Sequence, residues 1–414
     1  MHGTPSSISP SFWRQTGLVA AAAGASLLVL YFATVVWSPP FARDAHDYVV
    51  GRDFLNFWIY GREAWSAAPA RFYNIVLYNR HLAELVPWTY ATQQWSYPPH
   101  VLFFAAPFGL LPYGIAYVLW TALGVVAFWA AALDRDDSWR EFAALALAPA
   151  ALLCLVSGQN AFFTAAILIA IYRFIDARPL LIGALIGILT VKPQLGLLLP
   201  FMLVLTGRWR VFLAAAATTI AFVGASILVF GVDVWLAYLG PGVRLQEYVL
   251  QAPSAIIVAL MPTVFMNARI AGLGPEIAYV IQAVAALAAV AAVIWTYARR
   301  RDPLLSYGAL LVATLVATPY LMSYDLVVMG WLVLALCKTG CLLPRTRVLL
   351  VGLYWLPFIA LAMATLSVPG SALIPIVALV MLLMALKERD KAAQEPRAAT
   401  VNEQLPSING LRGY

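Results

Sequence analysis

Long apolar runs, most of them closed by short polar or basic segments, follow one another from Gly17 to Leu386. A helix of roughly 20 apolar residues crosses a bilayer with its backbone polar groups satisfied internally. Several of these runs approach that length. The composition agrees, with 63% hydrophobic and 11% charged residues, where a soluble globular chain carries about 25% charged. The runs are continuous rather than alternating, which excludes a transmembrane barrel. The expected class is an all-α polytopic membrane protein.

The net charge of +7 does not point to nucleic acid. Lys and Arg gather between the apolar runs, as at Arg173 and Arg178, Arg208 and Arg210, and Arg299 to Arg301. That is the positive-inside pattern. With about twelve spans and the N-terminus inside, most of the basic residues become cytoplasmic. The expectation is a multi-pass protein of the cell membrane with both termini in the cytoplasm. Cys154, Cys337 and Cys341 lie in or beside apolar runs, so no disulfide framework is implied.

The chain divides accordingly. Residues 1–16 read as a cytoplasmic tail, and Gly17 to Trp37 as an uncleaved signal anchor. Residues 38–99 form a long first outer loop. The membrane region extends to residue 386, and residues 387–414 read as a charged, disordered cytoplasmic tail. His100 to Leu111 is too short to cross and reads as re-entrant. Asp53 to Ala68 is expected as an amphipathic interfacial helix, with Phe54, Phe57, Trp58 and Trp65 facing lipid.

The outer loop carries the first chemical candidate. In Arg52-Asp53-Phe54-Leu55-Asn56-Phe57-Trp58 a carboxylate sits among large apolar groups. Lost hydration raises such a pKa toward the range of a useful base, while Arg52 offsets the rise. The competing reading is a solvated acid paired with an arginine. Asp44 and Asp47 have polar neighbours and weaker claims.

Lys192 is the second candidate, between apolar arms and followed by Pro193-Gln194. A cation at the centre of a membrane helix costs roughly 2.5–3.5 kcal/mol on insertion scales. It is tolerable where the ammonium lines a polar cavity and meets an anion such as phosphate. Pro193 breaks the helix and leaves backbone N–H groups free for that anion. The alternative is a lysine snorkelling to headgroups.

Gly158-Gln159-Asn160 offers two amides suited to hydroxyl-rich ligands, or simply a capped turn. Tyr324-Asp325 places an acid where an apolar run begins, and helix capping competes there. Tyr97-Pro98-Pro99 is rigid and aromatic, or a plain helix entry. No metal spacing, Gly-rich phosphate loop or Ser/His/Asp arrangement stands out. The orientation set by the basic clusters gathers these polar motifs on the outer face.

In this order, Asp53-Phe54, Tyr97-Pro98-Pro99, Gly158-Gln159-Asn160, Lys192-Pro193 and Thr318-Pro319…Asp325 form a set that resembles glycosyltransferase family 87. That resemblance implies a GT-C-like bundle of transmembrane helices with re-entrant segments. It implies transfer of a sugar, typically mannose, from a polyprenyl phosphate to a hydroxyl of a lipid-linked or cell-envelope glycan. It puts the base at Asp53 and the donor phosphate near Lys192. Arg52, Arg244, Tyr97, Gln159, Asn160, Gln194 and Asp325 are the further expected substrate contacts. The family's late motif usually ends in histidine, whereas this chain has Tyr324-Asp325 and no histidine there. No metal or diffusible cofactor is demanded, because the lipid-phosphate sugar is a co-substrate; a divalent cation stays open.

A multi-pass transporter or flippase is the main alternative, and a non-catalytic membrane scaffold a third. Transporters place binding groups near the midplane on broken helices, often within internal repeats. Polar motifs collected on one face, beside a large loop, favour an enzyme.

Overall fold

The computed structural model describes residues 10–88, 93–299, 301–339 and 347–394. The chain is an all-helical membrane protein. Among the described residues, one two-stranded antiparallel hairpin, β1 (Val36–Ser38) and β2 (Phe41–Arg43), interrupts the helices. The first half comprises α1 (Pro10–Ala33), α2 (Arg52–Glu63), α3 (Ile75–Leu85), α4 (Leu102–Gly109), α5 (Tyr113–Ala132), α6 (Trp139–Ala146), α7 (Pro149–Ser157), α8 (Ala161–Phe174), α9 (Pro179–Ile188) and α10 (Leu199–Leu205). Then come α11 (Trp209–Phe230), α12 (Val232–Ala237), α13 (Val243–Gln251), α14 (Ala255–Leu260), α15 (Val264–Ile270), α16 (Pro275–Tyr297), α17 (Pro303–Ala317), α18 (Val327–Lys338), α19 (Arg347–Thr365) and α20 (Leu373–Gln394).

Among the described residues, three helices are long and apolar enough to cross a membrane: α5, α11 and α16. They turn apolar side chains outward, including Val118 and Val126 on α5, Ile220 and Leu228 on α11, and Val280 and Leu287 on α16. This is how lipid-facing helices differ from soluble ones. α17, by contrast, is buried on every side from Leu304 to Ala317 and stands at the centre of the bundle.

Many of the remaining apolar runs are shorter helices, broken where the sequence supplies Pro or Gly. The apolar stretch from Phe142 to Val156 is shared between two helices, α6 and α7, bent by 58° ahead of Pro149. Proline has no N–H to continue the ladder and clashes with the preceding turn. The expected twelve spans are therefore not resolved as twelve long helices.

Three boundaries also differ. α1 begins at Pro10, inside the expected tail. α20 runs to Gln394, so the first part of the expected disordered tail is helical, and Asp390 and Arg389 pair with Arg301 and Asp302. The helix expected to face lipid in the first loop is α2, and it ends at Glu63. Its Phe54, Phe57 and Trp58 are buried in protein at 0–5% exposure, while Trp65 lies beyond the helix and is 60% exposed. The apolar face packs against α4 and the start of α5 instead of lipid.

Two helices carry a polar motif at one end and charge at the other. α8 starts beside Gln159 and ends at Arg173, which reaches Asp134 after α5. α18 starts beside Asp325 and ends at Lys338, paired with Asp134 and Asp137. The ion-paired end and the polar-motif end thus lie at opposite ends of the same helices.

Candidate active site

Two glycines bring the first loop to the bundle. Gly51, at the start of α2, and Gly158, at the end of α7, both adopt left-handed backbone, with φ of 76° and 71°. A Cβ at Gly51 would stand 2.5 Å from the Tyr117 ring, and one at Gly158 would stand 2.6 Å from Phe54 Cβ. Only glycine combines this backbone with such close approach. Gly51 N donates to Val156 O at 3.1 Å, which ties the two helix ends together. Asp53 follows two residues after Gly51 and Gln159 one residue after Gly158, and so the two become neighbours.

Gln159 is the hub. Its Nε2 donates to Asp53 Oδ2 and to Tyr324 Oη, both at 3.1 Å. Its Oε1 accepts from Tyr97 Oη at 3.0 Å. Tyr97 is held by Phe57 and Trp95, with ring centroids 4.9 and 5.1 Å away. Arg52 Nε lies 3.9 Å from Asp53 Oδ1. The Asp53 side chain is 20% exposed, and its exposed part borders a cavity. Burial pushes the carboxyl pKa up from its ordinary range. Arg52, the Gln159 hydrogen bond and Lys192 pull it back, while Asp325 adds to the rise.

Lys192 is placed by a break in the chain. Pro193 disfavours helical backbone at the preceding residue, and Lys192 takes φ −132°, ψ 75° between two 3₁₀ turns. Its Nζ lies 2.5 Å from Asp325 Oδ1, with the two side chains 4% and 2% exposed. The Tyr324 and Tyr97 rings stand 5.1 and 5.9 Å from the ammonium. Asp325 Oδ2 also accepts from Met322 N at 3.3 Å, so the acid both caps a turn and faces the lysine. Lys192 thus lines a polar cavity and faces an anion, and the anion the chain itself supplies is the Asp325 carboxylate.

Two cavities meet here. One, of about 400 Å³, is lined by Lys192, Gln194, Asp325, Gln246 and Thr318, among others. The other, of about 480 Å³, is lined by Asp53, Arg52, Asn56, Gln93 and Gln159, among others. Ser96, Tyr97, Tyr320, Met322 and Tyr324 line both and form their common wall. Asp53 and Lys192 thus lie on either side of a partition of side chains, within electrostatic reach of each other.

Of the expected contacts, Asp53, Arg52, Tyr97, Gln159, Lys192, Gln194 and Asp325 come together. Arg244 does not: it is exposed and lines neither cavity. Asn160 is buried beside Gln159 but faces a separate apolar cavity with Phe57, Trp120 and Val191. Asn56, Gln93, Gln246 and Tyr320 were not foreseen. Asn56 was open to inference, since it follows Asp53 by three residues and so shares its helix face. It donates to Gln93 Oε1 at 3.2 Å, and Asn79 pins the Gln93 backbone through two bonds of 2.8 Å. Gln246 donates to Ser96 O at 2.6 Å. Among the described residues, no group of three or more His, Cys, Asp or Glu could hold a metal ion.

Comparison with known families matches residues 95–323, more than half of the chain, to the model for glycosyltransferase family 87. The match covers Tyr97, Gln159 and Lys192; Asp53 precedes it and Asp325 lies just past it. No curated protein and no solved structure matches the chain.

Proposed function

The chain belongs to glycosyltransferase family 87, and from that premise we propose that it moves a hexose, mannose first among them, from a polyprenyl phosphate to a glycan hydroxyl. In this reading the acceptor is a lipid-linked or envelope glycan, and the site opens at the outer face of the cell membrane. The protein is a membrane glycosyltransferase.

The finer reading rests on one observation. A carboxylate cavity and an ammonium cavity adjoin across a shared wall that includes Tyr97 and Tyr324. Each half suits one substrate. The Asp53 side offers amides and phenols, including Asn56, Gln93 and Gln159, which match the hydroxyls and ring faces of a sugar acceptor. The Lys192 side offers the cation that a phosphate needs.

Chemistry then occurs where the chambers meet. Asp53 takes the proton of the acceptor hydroxyl as its oxygen attacks the anomeric carbon. The bond from that carbon to the phosphate oxygen breaks, and the electron pair leaves with the polyprenyl phosphate. Lys192 faces the growing negative charge on the leaving group. A single displacement inverts the anomeric centre. Gln159 holds the carboxylate and both tyrosines in one register, and their burial keeps water from competing as acceptor. No metal or diffusible cofactor enters this reading.

The test is reconstitution with a labelled polyprenyl-phosphate sugar and extracted envelope lipids, wild type beside Asp53→Asn. Transfer by the wild type alone is expected. Equal transfer by both removes Asp53 as base, and no transfer from any lipid-phosphate sugar removes polyprenyl phosphate as the donor carrier.

A further inference from the structure

Resting on the donor reading above, we infer that Asp325 weakens retention of the spent lipid phosphate and so promotes its release from the Lys192 cavity. Asp325 Oδ1 lies 2.5 Å from Lys192 Nζ, and both side chains are almost wholly buried. Among the residues lining that cavity, Lys192 is the one cation and Asp325 the one anion. Any phosphate bound there by Lys192 must bring an oxygen to about 3 Å from Nζ. It therefore comes close to the Asp325 carboxylate as well.

The two lipid phosphates differ in charge. The donor is a phosphodiester with one negative charge. Breaking the bond from the anomeric carbon to oxygen leaves a phosphate monoester, which carries about −1.5 to −2 at neutral pH. The sugar departs bonded to the acceptor oxygen, whose proton has gone to Asp53. The charge facing Asp325 thus grows at the moment of transfer. Lys192 offsets one negative charge, and Asp325 has already claimed much of it. Two like charges a few ångströms apart in a partly dry site repel enough to shift relative affinity by about tenfold or more. Asp325 tolerates the donor and disfavours the product.

The counterion is fixed rather than mobile. Its second oxygen accepts from Met322 N at 3.3 Å, and the Tyr324 ring stands 5.1 Å from the ammonium. The pair cannot simply swing apart into solvent when phosphate arrives, so the repulsion persists with ligand bound.

The test measures binding, without turnover, on the purified full chain. The probes are a polyprenyl phosphate monoester and its methyl diester. Wild type is expected to prefer the diester. Asp325→Asn should tighten the monoester by about tenfold or more relative to the diester, and in turnover should make product inhibition stronger, lowering kcat and donor KM together. Asp325→Glu, which keeps the charge, should keep the wild-type ratio. Asp325→Ser is a second neutral variant, small enough to admit water to Lys192, should the Asn form not fold. A ratio of affinities unchanged in both neutral variants overturns the inference, since a purely structural aspartate would move both ligands alike. Absence of transfer from the polyprenyl-phosphate sugar by wild type with the ratio shift intact would fell the donor reading, and with it the role in product release, while leaving the charge discrimination at the Lys192 cavity standing.

Discussion

Gln159 holds Asp53 through a single hydrogen bond, Nε2 to Oδ2 at 3.1 Å, across 106 residues of sequence. The same nitrogen reaches Tyr324 at the same distance. One amide thus fixes the orientation of the proposed base and of the wall between the cavities.

Replacing Asp53 separates chemistry from folding. Asp53→Asn should cut transfer by about a hundredfold or more, the usual worth of a positioned base. Stability should move the other way. Burial raises the folded-state pKa of this carboxyl, so its contribution to stability is full at acid pH and is lost as pH rises through the raised value. The Asn variant, which never ionises, should therefore melt at or above the wild-type temperature at neutral pH. The difference should close below the ordinary carboxylate range.

The Gln159 amide can be read through the pH profile. Its hydrogen bond favours the charged carboxylate, so Gln159→Leu should raise the Asp53 pKa further. The acid limb of kcat/KM should move to higher pH, and the rate at the alkaline plateau should fall less than the rate at pH 6. A profile that drops uniformly without shifting would count against Gln159 as the group tuning the base.

Lys192 and Asp325 should behave as a unit. Lys192→Met leaves a buried carboxylate unpaired, which costs about 3–5 kcal/mol. The double variant Lys192→Met, Asp325→Leu removes both charges and should recover most of that stability without recovering transfer. Thermal melting of the single and double variants in the same detergent decides it.

Gly158→Ala probes the seam between α2 and α7. A left-handed backbone costs a non-glycine residue about 1–3 kcal/mol, and the added Cβ would stand 2.6 Å from Phe54 Cβ. Melting temperature and transfer should both fall. Arg244→Ala is the counterpart outside the site and should leave transfer unchanged, because that side chain is exposed and lines neither cavity.

The long apolar helices were legible to within a few residues, as with α5, α11 and α16, because twenty uninterrupted apolar residues have few other fates. The environment of α2 was not. An aromatic stripe looks the same whether it meets lipid or protein, and only the packing of Phe54 and Trp58 against later helices decides between them. Asp53 and Lys192 stood out as charges in apolar settings. Their partners did not, because Lys192 meets Asp325 across 133 residues and no local pattern reports such a pairing. Arg244 falls outside the two cavities for a similar reason: composition reveals a cation but not the direction in which α13 turns it. The charged stretch after Leu386 read as disordered, yet its charges find partners at Arg301 and Asp302 and carry α20 onward.

The aromatic packing of α2 has a practical consequence. Phe54 and Phe57 rest on Trp120, Trp58 rests on Tyr113, and Tyr73 rests on Tyr238, all supplied by later parts of the chain. The first loop is therefore no portable module. Cut free and expressed alone, it would show a slab of bare rings to water and clump. Antibodies raised against such a fragment would recognise a surface that the intact enzyme keeps hidden.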